Sequence, residues 1–131
     1  MERLTEDNYV KMAEDAILVL KEKKDQRGRQ IPIVTTSKIR NLLAMTAAIY
    51  NEVIACQTEE LSPDIVGRIN YMKIRFVYEA GREASVKNLV TQAKLLEHID
   101  EIGKSRKQYI LFSRYMEALV AYRKFFGGKD E

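Results

Sequence analysis

The sequence predicts an all-α protein, a bundle of about five helices in a single domain over residues 1–131. Three observations predict it. Apolar residues recur at intervals of three and four along most of the chain. Proline occurs only as Pro32 and Pro63, which leaves long stretches free of helix breakers. Capping residues or glycines bracket the periodic segments.

The first helix is expected over 6–24. Thr5 can cap it, and Glu6 and Asp7 suit its positive end. Tyr9, Ala13, Ala16, Ile17 and Leu20 share one face. Gly28 and Pro32 mark a basic connecting loop over 25–34, whose last four residues read as extended. The second helix is expected over 37–57, with Thr35, Thr36 and Ser37 as successive candidate caps. Its apolar stripe is Ile39, Leu42, Leu43, Ile49, Tyr50, Val53 and Ile54, interrupted by Thr46. The opposite face holds Ser37, Asn41, Ala44, Ala48 and Asn51. Those side chains are small and uncharged, so another backbone could approach, which predicts a central or interfacial helix.

Ser62 and Pro63 open a third helix over 63–80, and Gly81 supplies a stop. Ile65, Val66, Ile69, Met72, Phe76 and Ala80 face inward. The fourth helix is expected over 85–102, with Val86, Leu89, Val90, Ala93, Leu96 and Ile99 inward and Gly103 at its end. The fifth is expected over 105–126, with Phe112, Tyr115, Leu119, Tyr122 and Phe126 inward. Residues 127–131 read as a frayed tail.

Composition excludes several classes. A hydrophobic content of 46% with 31% charged residues is that of a globular domain, neither a disordered tail nor a membrane protein. The longest apolar runs, 16–20 and 118–122, are far too short to span a bilayer. The start of the chain has no apolar signal region and Cys56 is the single cysteine, so a reducing cytoplasm is expected. Cys56 and His98 sit in different helices without clustered ligands, so neither a metal site nor a Cys–His nucleophile is expected. His98 reads as a surface histidine. Gly127-Gly128 lies after the last helix and is no phosphate loop. No catalytic residue, metal or cofactor is expected, and the chain is not read as an enzyme.

The net charge is +3, and its distribution is uneven. Residues 30–51 contain no acid, while 104–124 carry six bases against Glu117 alone. Such segments suit a polyanion. On the third helix Arg68, Tyr71, Arg75, Tyr78 and Arg82 share a face if the helix continues past Gly81. Bases attract phosphate and tyrosines can stack, unless both tyrosines pack at the core edge. At the start of the second helix, free N–H groups, three hydroxyls, Lys38 and Arg40 form an anion-binding pattern. Arg106, Lys107, Arg114 and Lys124 lie largely away from the aromatic stripe of the fifth helix, and Arg123 lies nearer the core margin. Lys21, Lys23, Lys24, Arg27 and Arg29 make the connecting loop basic. No motif for reading base edges stands out, so backbone contact is the expected mode.

Three segments are similar to those of a known family. Val34-Thr35-Thr36-Ser37-Lys38-Ile39-Arg40-Asn41, the run from Arg68 through Tyr78 to Arg82, and the run from Leu111 through Arg114 to Tyr122 resemble the small subunit of type III-A CRISPR effector (Csm) complexes. The resemblance covers about residues 8–130. It implies a non-catalytic helical bundle that stacks in several copies beside the backbone subunits. It implies contact with the guide RNA and target RNA, mainly through the duplex backbone, and with the large subunit. Cleavage would belong to the backbone subunits. Lys38, Arg40, Arg75 and Arg82 fall within matching segments as RNA-contact candidates, with Arg68, Arg114 and Arg123 behind them. Two other classes remain to be separated from this one: a protein–protein scaffold without RNA contact, and a DNA-binding regulator.

Overall fold

The computed structural model describes residues 1–127, and among them it contains six helices and no strand. They are α1 (Tyr9–Glu22), α2 (Thr36–Ala55), α3 (Pro63–Arg82), α4 (Ala84–Gln92), α5 (Leu95–Ile102) and α6 (Arg106–Phe125). Most of the expected tail, 128–131, lies outside the described residues.

Side-chain caps act at three starts, two of them among the expected ones and the third at Ser105. The Thr35 side chain accepts from the Lys38 amide, Ser62 from Ile65 and Ser105 from Gln108. Before α1, Thr5 and Asn8 exchange bonds: the Thr5 amide donates to Asn8 Oδ1 at 2.8 Å, and the Asn8 amide to Thr5 Oγ1 at 3.2 Å. Helix α3 runs through Gly81, whose φ is not left-handed, and so does not stop where glycine suggested.

The expected fourth helix is two helices. Lys94 adopts a left-handed φ of 55°, which breaks the rod between α4 and α5. The reason is a slip in phase. Leu89, Val90 and Ala93 are buried along α4, whereas α5 buries Leu95, His98, Ile99 and Ile102. One straight helix would turn Leu95 out of the core.

One cluster of buried side chains draws on all six helices and on Leu4, Val34 and Leu61 between them. Helix α6 sits at its centre, packed against α1, α2 and α5. Helix α2 lies between α6 and α3. Ile54, expected inward, is exposed on α2. The loop before α3 is tied to the loop before α6: the Leu61 amide donates to Lys104 O at 2.7 Å, and the Arg106 amide to Glu59 O at 3.0 Å. Arg106 also caps the far end of α2, with Nε donating to Val53 O and Nη2 to Ile54 O, each at 3.1 Å.

Two buried phenols lock the helices together. Tyr109 donates to Thr46 O at 2.6 Å and Tyr115 to Ala93 O at 3.0 Å. Burial pushes both hydroxyls well above their ordinary value of 10.0. Their protonated forms therefore favour the folded state. That contribution is intact below pH 10 and is lost as the pH climbs beyond it. In an alkaline titration followed by tyrosinate absorbance and circular dichroism, Tyr109 and Tyr115 should ionise only as helicity disappears. Ionisation of either within an intact helical fold would contradict this account.

Candidate nucleic-acid interface

Helices α2 and α3 run antiparallel, and the groove between them gathers most of the candidate cations. At one end, the start of α2 meets the end of α3 in a cleft of about 410 Å³, lined by Lys38, Arg40 and Arg82 among others. At the other end, the later turns of α2 meet the start of α3 in a cleft of about 530 Å³, lined by Arg68, Tyr71 and Arg75 among others. Because α3 continues past Gly81, Arg68, Arg75 and Arg82 recur once per heptad. They fall on one face and rise about 10.5 Å per step.

The two tyrosines do not pack inward. Tyr71 and Tyr78 are each 60% exposed, on the same side of α3 as the arginines. The Arg82 guanidinium lies over the Tyr78 ring, 5.8 Å from its centroid. Ile74 and Val77 are also exposed on α3.

Carboxylates temper this charge. Lys38 Nζ lies 3.0 Å from Glu83, Arg82 lies 3.8 Å from Glu79, and Arg68 pairs with Glu52. Arg68 Nη2 also donates to Ala48 O at 3.4 Å. All three ion pairs are at least partly solvent-exposed, so each holds its cation by roughly 0.2–1 kcal/mol. Arg40 and Arg75 are exposed and make no side-chain hydrogen bond or ion pair among the described residues. Two of these partners depend on how the helices meet, since packing brings Glu52 to Arg68 and Glu83 to Lys38, whereas Glu79 and Arg82 are three residues apart on α3.

Two candidates lie elsewhere. Arg114 is exposed in a separate cleft with Glu6, Glu59, Arg106 and Lys107. Arg123 is a correction: it is 1% exposed, and its Nε donates to Val34 O at 2.6 Å while Nη1 donates to Gly127 O. A buried guanidinium committed to backbone carbonyls does not face a polyanion, and Arg123 leaves the candidate set.

The basic loop is organised rather than loose. Asp25 Oδ1 accepts from the Arg27 and Arg29 amides at 2.8 and 3.0 Å, around Gly28 at a left-handed φ of 76°. His98 is a second correction. It is buried, stacks edge-on with Tyr115 at 5.2 Å, and places Nδ1 3.1 Å from Glu101 rather than against Cys56. Among the described residues, no three His, Cys, Asp or Glu side chains are grouped so that they could hold a metal ion. No helix among them is long and apolar enough to cross a membrane.

A family model described as Csm2 Type III-A matches residues 14–129. The chain is similar to a protein of Streptococcus thermophilus named "CRISPR system Cms protein Csm2". The two are 44% identical over 127 residues, covering 97% of this chain and 98% of the relative. A protein of the same name from Mycobacterium tuberculosis H37Rv is 41% identical over 126 residues, 96% of this chain and 97% of the relative. A third, from Enterococcus italicus, is 37% identical over 109 residues, 79% of this chain and 78% of the relative.

Proposed function

This chain belongs to the Csm2 family of type III-A CRISPR systems, and from that premise we propose that it holds RNA by the sugar–phosphate backbone through the α2–α3 groove. It is a small subunit of a type III-A Csm complex. In this reading it is non-catalytic and cytoplasmic. It contacts guide and target RNA, bridges the large subunit, the backbone subunits and further copies of itself, and serves antiviral defence. One arrangement carries the reading: Lys38, Arg40, Arg68, Arg75 and Arg82 all line a single groove, and two of them have no carboxylate partner among the described residues. Phosphates entering the groove displace exposed ion pairs, which costs little. Neighbouring subunits raise the effective concentration of the strand, so modest affinity in the free chain suffices.

The test is binding of single-stranded RNA to the full chain across a salt series. Five phosphate contacts at roughly 0.7 each give a log–log slope of about −3.5. The second reading, a protein–protein scaffold, draws on the exposed Ile74 and Val77 of α3. It predicts no RNA binding even at low salt, and that result would overturn the proposal. Preference for a DNA duplex of defined sequence, resistant to random RNA, would instead point to a regulator.

A further inference from the structure

We infer that the cleft at the start of α3 seats an unpaired nucleobase of the RNA that the groove holds, an inference that rests on the phosphate-binding reading above. The cleft has an apolar floor, with Ile49 from α2 and Met72 from α3 both buried beneath it. Its volume of about 530 Å³ lies within the range in which small ligands sit. Tyr71, 60% exposed, offers a ring on which a base can stack.

Gly67 is the second observation. It lies inside α3, where glycine costs about 1 kcal/mol relative to alanine. A Cβ built there meets nothing within 4 Å. No neighbour in this fold needs the space, and the glycine keeps the cleft open.

Charge selects the occupant. Arg68 and Arg75 flank the cleft one heptad apart, about 10.5 Å along the helix. An unpaired nucleotide presents an aromatic plane between two phosphates, which matches an apolar slot between two guanidinium groups. An apolar side chain from another protein would fill the slot and leave Arg75, which pairs with no carboxylate among the described residues, unanswered. Paired bases are held in the stack and cannot enter, so the cleft takes single-stranded or extruded nucleotides. Stacking accepts any base, so no sequence preference results.

The experiment uses the full chain at low salt and a single-stranded RNA carrying 2-aminopurine, compared with an abasic strand of equal length. The base-bearing strand should bind about tenfold tighter, and its fluorescence should be quenched on binding. Gly67→Leu, whose Cβ meets no atom within 4 Å and whose side chain narrows the cleft, and Tyr71→Ala should each abolish the quench and the advantage over abasic RNA. Circular dichroism verifies that each variant is folded, and Tyr71→Ala alone carries the test if Gly67→Leu is not. Equal affinity for abasic and base-bearing RNA, with binding still weakened by Arg75→Glu, overturns the base site and leaves the phosphate groove standing. Loss of assembly with the other Csm subunits in Gly67→Leu, at unchanged RNA affinity, identifies a protein occupant and also overturns it. No RNA binding by any form at low salt removes the underlying reading as well.

Discussion

Arg40→Glu combined with Arg75→Glu is expected to weaken the proposed RNA binding by at least about tenfold at moderate salt and to leave the helical fold in place. Both side chains are exposed and neither holds another side chain, so reversing them disturbs no packing. They line different clefts of the α2–α3 groove, Arg40 at the start of α2 and Arg75 midway along α3, so the pair samples both clefts. Each lost single-strand contact removes roughly 0.7 from the salt slope, so the double variant should bind with a slope shallower by about 1.4. The same substitutions should impair engagement of target RNA by the assembled complex. Unchanged affinity and slope would mean that the wrong face has been assigned.

Arg123→Ala has the opposite signature: it destabilises the fold by about 3 kcal/mol while sparing the RNA affinity of the folded protein. The guanidinium donates to the carbonyls of Val34 and Gly127, and the Val34 side chain is fully buried. Truncation leaves those acceptors without this donor and opens a void beneath α6. The next residue, Thr35, caps α2, so the loss of stability is felt at that helix start. For a domain of this size the melting temperature should fall by about 10 °C. Arg123→Met restores the stem but not the hydrogen bonds and should recover only part of that loss. A denaturation midpoint equal to that of the unaltered chain would refute this role.

Much of the architecture was legible in the residues. Thr35, Ser62 and Ser105 announced three helix starts because a cap is a local device, one side chain and one amide three residues on. The break at Lys94 was not legible, since no glycine or proline marks it. Its only trace is that Leu95 is apolar out of step with Ala93, and tertiary packing decided which phase would win. Among the cations, the heptad of Arg68, Arg75 and Arg82 follows from helix geometry alone. What no single-chain pattern shows is depth. Arg123 lies on a stripe whose neighbours are half solvent and half core, and only the position of Val34, 89 residues away in sequence, places it inside. His98 was read as a surface residue for the same reason: its burial is set by Tyr115 on another helix.

The ties between the loops at 59–61 and 104–106 have one more effect. They pin the base of the α2–α3 hairpin to the loop that precedes α6, and the pitch of α3 fixes the separation of its guanidinium groups. The protein thus behaves as a ruler with graduations cut in advance. If the groove binds RNA as proposed, a flexible polyanion laid along it would adopt the ruler's period, and copies set end to end would impose a common metre on the strand they share.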